Sequence, residues 1–400
     1  MPLEGQQPRG GRVGDLFFDG ENLLRMVASA LVRLSHQSGP QSGPQGSVYD
    51  ATVQNTYNQL VLLCLRKGHT PPASVPEMVR WAMERPIGEW PWTLPDDFDG
   101  SPVFLVDALT RTPTQQCWEW RVTARDVAAE QVENQLMGDA IAQCRAAHAP
   151  ESYTAFRRLL IRQPVLTDAE RAALADDLDL ELLHDLIKRC YEPAPGSYLR
   201  EGAYAVCARC GCLLVPIGRD RYVCELDRCR RDQHAKIGRT VPARRGGGMY
   251  QLNRAMRMFI TGPGLAETDL ETALTERGLR PEMWPNFDAY DLRIMLPRGQ
   301  VWAVDVKDRA NPALLGRDTA PLRPDPPYDK GFLVAPQYRF DEREDYGRVF
   351  IHHRRDDLAG VVDLISDVDL LARVDRELAR SQPTKPKPKP SSAAGVTVDA

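Results

Sequence analysis

The sequence of 400 residues predicts an α+β multidomain chain, in which a helical N-terminal region and a small cysteine-rich module precede a C-terminal α/β core with a mixed sheet. Three observations predict this class. Apolar residues recur at helical spacing in the first half, five of the nine cysteines lie between positions 207 and 229, and strand-like alternation appears at 286–308. The length allows two or three domains. We expect boundaries at 1–195, 200–245 and 246–380, with a disordered tail at 381–400.

Composition limits the class of protein further. A formal net charge of −4 excludes a wholly basic nucleic-acid binder, so any contact with nucleic acid must come from local patches. No apolar run approaches the length that spans a bilayer, and residues 1–8 lack the apolar core of a signal peptide. Because the cysteines are odd in number and clustered, a metal site in a reducing compartment fits them better than a disulfide framework. These features predict a cytoplasmic protein without membrane contact.

The first half of the chain has the pattern of successive helices. Asp19 is placed to cap the first helix, and Thr167 with Glu170 has the spacing of a capping box. This region contains no motif that indicates a particular chemistry, and residues 1–14 and 38–47 are expected to be mobile. We expect helices over 19–36, 48–67, 77–84, 123–147 and 151–162, one from Thr167, and one that ends near Cys190.

The cysteine-rich module has the spacing of a zinc site. One pair of cysteines is separated by two residues and the next pair by four. Two thiolates on a turn bind one Zn²⁺, and a second pair brought in by a hairpin completes a tetrahedral structural site, as in a zinc-ribbon-like module. Because the second spacing is longer than usual, Cys212 or His234 is an alternative ligand, and buried thiols without metal are the alternative interpretation. The predicted ligands are Cys207, Cys210, Cys224 and Cys229.

A basic segment surrounds this module. Residues 219–257 contain eleven Arg or Lys and four acids, which gives a formal balance of +7. Arginine is well suited to phosphate contact, so this segment predicts binding to nucleic acid, and a solvated charged face is the alternative. The candidate contacts are Arg230, Arg231, Arg244 and Arg245.

The C-terminal region alternates between helices and strands. Besides the pair of strands at 286–308, we expect strands at 331–336 and 349–352 and a helix or turn at 310–316. From Ser381 onwards, repeated Lys-Pro pairs predict a disordered, polyproline-like tail. The predicted helices cover 249–260, 265–277 and 364–378, and the glycines at 262 and 264 are expected to separate the first two.

The two strands at 286–308 carry charge on one side only. The turn at 297–300 joins them, and alternation places Asp291 and Arg293 together on the first strand and Asp305 and Lys307 together on the second. If the strands pair as a hairpin, Asp291 lies near Asp305, with Lys307 one pleat away. The apolar sides consist of Leu292, Ile294, Leu296, Trp302, Val304 and Val306.

This arrangement suits the hydrolysis of phosphodiester bonds. Two carboxylates at the ends of strands can hold a hard cation such as Mg²⁺ or Mn²⁺, which polarises a phosphate and lowers the pKa of a bound water. A lysine two residues from such a carboxylate can orient the water or neutralise the charge that develops on the phosphate. Asp-x-Lys alone is more often a solvated strand edge. Here the second aspartate and the preceding acidic helix strengthen the pattern.

These residues resemble the PD-(D/E)XK nucleases, which have the restriction-endonuclease-like fold. Asp291 matches the first aspartate of that family, and the run 305–307, Asp-Val-Lys, matches its tripeptide, although Tyr290 stands where the motif has proline. More narrowly, the run 284–293, Trp-Pro-Asn-Phe-Asp-Ala-Tyr-Asp-Leu-Arg, is similar to the nuclease component that accompanies prokaryotic PIWI-RE proteins in defence operons. The resemblance covers residues 245–375, and the upstream cysteines loosely.

The resemblance implies a restriction-endonuclease-like core and a Mg²⁺-dependent endodeoxyribonuclease, with a role in antiviral or antiplasmid defence beside a PIWI-RE protein and a helicase. RNA or an RNA–DNA hybrid is the alternative substrate. Asp291, Asp305 and the backbone carbonyl of Val306 would hold the Mg²⁺, and Lys307 would position the water.

The helical glutamate of the family would be Glu267, with Glu271, one turn further on the same face, as the alternative. A rival interpretation is a non-catalytic, zinc-containing adaptor that binds nucleic acid or a partner on a nuclease-like fold.

Overall fold

The computed structural model describes residues 19–36, 48–94, 102–122, 131–218, 220–230, 235–243 and 247–381. The predictions for 1–14, for 38–47, for His234 and for nearly all of the C-terminal tail lie outside these residues, as do the side chains of Arg231, Arg244 and Arg245. None of the described helices is both long and apolar enough to cross a membrane.

The N-terminal region is helical, as its periodicity predicts. The apolar stripe of the first helix is buried against the second and fourth helices, and Asp50 caps the second by accepting a hydrogen bond from the Thr52 N–H at 2.8 Å. The predicted capping box of Thr167 and Glu170 is present. The helices are α1 (Gly20–His36), α2 (Ala51–Arg66), α3 (Val75–Glu84), α4 (Gln115–Val122), α5 (Gln131–Ala147), α6 (Pro150–Arg162), α7 (Asp168–Ala173) and α8 (His184–Cys190).

A three-stranded antiparallel sheet joins this region to the segment after the cysteines. Strand β7 (Met249–Leu252) lies between β1 (Val165–Thr167) and β2 (Tyr191–Pro193). The helix predicted over 249–260 is therefore wrong in its first half. Met249, Leu252 and Met256 have helical spacing, but strand partners more than 50 residues upstream decide the conformation, and a helix starts only after Asn253, whose side chain caps it. The helical part comprises α10 (Arg254–Met256) and a π-helical turn (Arg257–Thr261).

The cysteine-rich module consists of two short antiparallel pairs. Strand β3 (Ala203–Cys207) pairs with β6 (Ile237–Pro242), and β4 (Val215–Ile217) pairs with β5 (Arg221–Val223). The short helix α9 (Asp227–Arg230) follows β5. The cysteines belong to the same buried core as side chains of the helical region and of the C-terminal sheet.

The C-terminal region is built on a five-stranded mixed sheet in the order β12-β11-β10-β9-β8. The predicted hairpin is present, with Val304 of β10 opposite Leu292 of β9, while β10, β11 and β12 run parallel to one another. Both faces of β10 are largely buried, as is usual for a strand with parallel neighbours inside a sheet. The strands are β8 (Glu282–Met283), β9 (Leu292–Met295), β10 (Val301–Val306), β11 (Lys330–Ala335) and β12 (Leu364–Ser366).

Two predictions for this region are wrong. Residues 349–352 are helical rather than a strand, because Tyr346, Val349 and Phe350 form a buried i, i+3, i+4 stripe. This helix packs closely on the helix Pro312–Asp318, since a Cβ on Gly316 would meet the Phe350 carbonyl oxygen at 2.6 Å. The predicted helix at 364–378 begins with β12 and becomes helical at Asp367. The helices are α13 (Pro312–Asp318), α14 (Gln337–Glu342), α15 (Tyr346–His353) and α16 (Asp367–Ser381).

Helix α11 (Gly262–Glu276) starts directly after the π-helical turn, so the glycines at 262 and 264 do not separate two helices. Gly264 instead permits close packing, because a Cβ there would come within 2.4 Å of the Ile161 side chain on α6. The Thr261 hydroxyl donates to the Leu160 carbonyl at 2.8 Å beside this contact. The N-terminal region is thereby held against the C-terminal sheet through α6 and α11. The segment Pro285–Asp288, α12, follows β8 and includes left-handed residues.

Candidate active site

Asp291, Asp305 and Lys307 come together at one end of the β9–β10 pair. The Asp291 N–H donates to the Val304 carbonyl at 3.0 Å, which continues the ladder beyond β9. The Asp291 Oδ2 accepts a hydrogen bond from the Val306 N–H at 2.6 Å. Lys307 Nζ lies 2.8 Å from Asp305 Oδ1. The hairpin therefore places the two aspartates and the lysine in one cluster, as its alternation predicts.

The cluster is most buried at Asp291 and most open at Lys307, whose side chains are 7% and 38% exposed. Burial, and then the charges of Glu267 and Asp305, raise the pKa of Asp291 above its usual range. Partial burial lowers the pKa of Lys307, but attraction to Asp305 and Asp291 outweighs it and leaves this pKa above its usual value. A cation beside Asp291 and Asp305 would reduce their repulsion, and the oxygen donors fit Mg²⁺ or Mn²⁺.

Glu267 lies beside this cluster, yet an arginine binds both of its carboxylate oxygens. Arg157 Nη2 donates to Oε1 and Oε2 at 3.0 and 2.9 Å, and the Trp284 indole N–H donates to Oε2 at 2.6 Å. The same Nη2 lies 3.9 Å from Asp291 Oδ1, and Nη1 lies 3.1 Å from Asp288 Oδ2. The Arg157 side chain is 8% exposed, so a buried guanidinium stands among three carboxylates. Burial opposes its charge, but Asp288 and Glu267 raise the pKa of Arg157 well above its usual value.

A left-handed stretch of backbone holds two of these partners. Trp284, Asn286, Phe287 and Asp288 have φ values of 49°, 47°, 55° and 69°. Such conformations cost non-glycine residues about 1 kcal/mol or more each, and they persist only where the surroundings enforce them. Here Trp284 is bound to Glu267, while Asp288 accepts hydrogen bonds from Arg157 and from the Tyr153 hydroxyl, the latter at 3.0 Å.

Glu271, the alternative to Glu267, lies one turn further along α11 and outside the cluster. Arg158 binds it with both terminal nitrogens, at 2.9 and 2.6 Å, and the Arg158 side chain is 40% exposed. Two successive residues of α6 thus pair with two glutamates of α11. Only the pair of Arg157 and Glu267 reaches Asp291.

The four predicted cysteines form a second cluster. Their sulfur atoms all lie within 4.8 Å of one another, and Cys210 Sγ and Cys224 Sγ are 3.4 Å apart. Sulfurs around one tetrahedral zinc would be separated by about 3.8 Å, because each Zn–S bond is about 2.3 Å long. The cluster therefore fits one Zn²⁺ with four thiolates. Cys212 is buried close by, and its backbone carbonyl accepts the Cys207 N–H at 2.8 Å.

Much of the basic segment is engaged in interactions within the chain. Arg230 binds the Asp107 carboxylate and donates to the Cys224 carbonyl at 2.7 Å, so its side chain faces the helical region. Arg230 is therefore paired with an acid of the same chain. Other pairs join the segment to its surroundings: Arg228 with Asp269, Arg239 with Glu170, and Arg254 and Arg257 with Glu225.

Sequence reasoning missed Arg157, Tyr153, Trp284 and Asp288 as members of the site. Trp284 and Asp288 belong to the run at 284–293 that carries the family resemblance, so their presence in that run was an available signal. Arg157 and Tyr153 lie on α6, more than 100 residues upstream, where the sequence contains no recognisable pattern.

Two segments of the chain match models of known protein families. Residues 23–167 match the model described as pPIWI_RE three-gene island domain Y, and residues 264–382 match that described as REase associating with pPIWI_RE. No curated protein and no solved structure matches the chain. The resemblance to restriction-endonuclease-like nucleases of PIWI-RE systems is therefore confirmed. Asp291 and Asp305 lie in the second segment, and Arg157 lies in the first.

Proposed function

We propose that this protein, which carries a domain Y segment and a restriction-endonuclease-like segment of PIWI-RE systems, is a metal-dependent nuclease that hydrolyses phosphodiester bonds of DNA. The observation that supports this most is the cluster of Asp291, Asp305 and Lys307 at the end of the β9–β10 pair. All three residues of the motif are present. A role in defence against viruses or plasmids, beside a PIWI-RE protein and a helicase, follows from the same family matches.

The positions of these residues indicate a separate role for each. Asp291, Asp305 and the Val306 carbonyl would hold Mg²⁺ or Mn²⁺, which supplies a Lewis acid and a more acidic bound water. Lys307 is held by Asp305 at 2.8 Å and is the most exposed of the cluster, so it can contact a phosphate oxygen or the attacking water. Glu267 is bound by Arg157 and Trp284, so we assign it to holding Arg157 beside Asp291.

The cysteine-rich module would bind structural Zn²⁺ and act as a zinc-ribbon-like support for the rest of the chain. Its contacts favour this role, because Glu225 next to Cys224 forms buried ion pairs with Arg254 and Arg257 at the entry to the C-terminal region. Nucleic-acid contact through Arg231, Arg244 and Arg245 is part of the proposal, since the sequence places them in the basic segment. Arg230 contributes to the packing of the module through Asp107.

The test is a cleavage assay with purified protein on labelled single-stranded DNA, duplex DNA, RNA and an RNA–DNA hybrid, each with Mg²⁺, Mn²⁺ or EDTA. We expect DNA to be cleaved in either metal and not in EDTA. Lys307→Ala should reduce turnover about 100-fold, a typical loss for a positioned proton-transfer or charge-stabilising group, while Mn²⁺ binding is retained. Unchanged cleavage by Asp305→Asn would remove Asp305 from the proposed mechanism.

The rival function, a non-catalytic adaptor, predicts a different pattern in the same assay. It requires binding of nucleic acid or a partner without cleavage on every substrate and in every metal. Asp305→Asn and Lys307→Ala would then change nothing, because no reaction depends on them. That result would overturn the nuclease proposal and favour the adaptor.

A further inference from the structure

The space between Glu267 and Asp291 is filled by a positive charge from the N-terminal region. Arg157 Nη2 contacts both oxygens of Glu267 and lies 3.9 Å from Asp291 Oδ1, while Nη1 binds Asp288. Two carboxylates facing one another across such a space are a set of donors for a hard cation. In this chain a guanidinium occupies the space instead.

The charges around the site support a single additional cation. Four carboxylates, those of Glu267, Asp288, Asp291 and Asp305, are in ion pairs with two cations, Arg157 and Lys307. The formal sum is −2, which one divalent cation beside Asp291 and Asp305 would neutralise. Without Arg157 the sum would be −3, and the donors of Glu267 and Asp291 would face one another without a counter-charge.

Several interactions fix the guanidinium in this space. Gly264 allows α6 and α11 to approach closely at Ile161, one helical turn from Arg157. The Arg157 side chain lies 5.2 Å from the centre of the Trp284 ring, and the left-handed stretch holds Asp288 on its other side. The arginine is therefore as firmly positioned as the carboxylates that it binds.

We infer that the guanidinium of Arg157 takes the place of a second cation between Glu267 and Asp291, so that the centre binds one divalent cation and requires the domain Y segment for its charge balance. This inference rests on the proposed function. It assigns Arg157 a positioning role within the nuclease centre, because it acts through Glu267 and Asp291.

The test counts Mn²⁺ ions by calorimetry or paramagnetic resonance on full-length protein whose zinc content is measured in parallel. The wild-type chain should bind one Mn²⁺. Arg157→Gln, which removes the charge and shortens the side chain, should bind two. The added ion should be lost again in Arg157→Gln with Glu267→Gln, because Glu267 would be one of its ligands. Arg158→Gln is the matched control on the same helix and should bind one.

Two results would overturn the inference: two Mn²⁺ ions in the wild-type chain, or one in a folded Arg157→Gln variant. If that variant does not fold, Arg157→Lys replaces it, because a lysine keeps the charge and should keep the count at one, whereas a count of two would contradict the inference. No Mn²⁺ bound to wild type, in contrast, would refute the proposed metal-dependent function itself. The two failures are therefore distinguishable.

Discussion

The cysteine cluster and the acidic centre at Asp291 are two candidate metal sites assembled in different ways. All four thiols lie within 23 positions of one another, on strands and turns of one small module. The acidic centre joins a hairpin to α11 and, through Arg157, to a helix that lies more than 100 residues upstream. The first site is local in sequence and the second is composite.

The two sites also differ in how charge is balanced. A zinc ion bound by four thiolates leaves a formal charge of −2, and such a site supplies folding energy to the module that contains it. The acidic centre already has two cations of the chain, Arg157 and Lys307, among its carboxylates. The comparison teaches that a local site depends on the fold of one small module, whereas a composite site depends on packing between regions.

The largest effect expected is on the local site. Cys207→Ser should abolish zinc binding and lower the stability of the module by on the order of 5 kcal/mol, because structural zinc contributes its binding energy to folding. Cys64→Ser is the matched control, since Cys64 is buried in α2, away from the cluster. Elemental analysis and thermal unfolding measure both properties. Equal zinc content in the two variants would contradict the assignment of Cys207 as a ligand.

The next effect separates the two sites by their metals. Asp305→Ala should reduce cleavage at least about 1000-fold and abolish tight Mn²⁺ binding, because it removes one of the ligands that hold the catalytic cation. Zinc content should be unchanged, since Asp305 lies on β10 and not in the cysteine module. Parallel assays of turnover, Mn²⁺ and zinc provide the check. If Asp305→Ala lost zinc as well, the two sites would not be independent.

A third prediction concerns the packing on which the composite site depends. Arg157→Ala should destabilise the chain by about 3 kcal/mol, because it leaves Glu267 buried without its ion pair. Arg158→Ala, next along the same helix, should cost about 0.5 kcal/mol, because its pair with Glu271 is more exposed. Urea unfolding of both variants measures the difference. Similar losses of stability for the two variants would show that burial does not increase the contribution of the Arg157 ion pair to stability.

The smallest effect is expected in the basic segment. Replacing Arg231, Arg244 and Arg245 by Ala should weaken DNA binding on all sequences alike and reduce the salt slope by about 0.7 to 0.9 for each phosphate that an arginine no longer neutralises. Arg230→Ala should leave the slope unchanged, because Asp107 binds its guanidinium. Fluorescence titrations at several salt concentrations decide between them. A slope that changes only with Arg230 would reverse the assignment.

The sequence was sufficient to predict those features of the structure that a few neighbouring residues determine. Alternation predicted the hairpin with Asp291 and Asp305 side by side, and the cysteine spacing predicted a group whose sulfurs do come together. Helical periodicity likewise predicted most of the helices of the N-terminal region, but no predicted helix covers α4 (Gln115–Val122).

The predictions failed where contacts between segments that are distant in sequence determine the conformation. Residues 249–252 form a strand because β1 and β2 lie on either side of them, and the stripe at 346–350 packs on α13 through Gly316. Arg157 shows the same limit for the site. Its role follows from the packing of α6 on α11, which no local pattern near Arg157 indicates.

Glu119 also links the two family segments to one another. Glu119 is fully buried on α4, and its carboxylate accepts the N–H groups of Ala310 and Asn311 at 2.8 and 2.9 Å, just after Lys307. The domain Y segment thus contacts the acidic centre at two places, at Asp291 through Arg157 and behind Lys307 through Glu119. A fragment that begins at residue 264 would expose Glu267 and lack both supports. We therefore expect the acidic centre to be assembled fully only in a chain that contains both family segments.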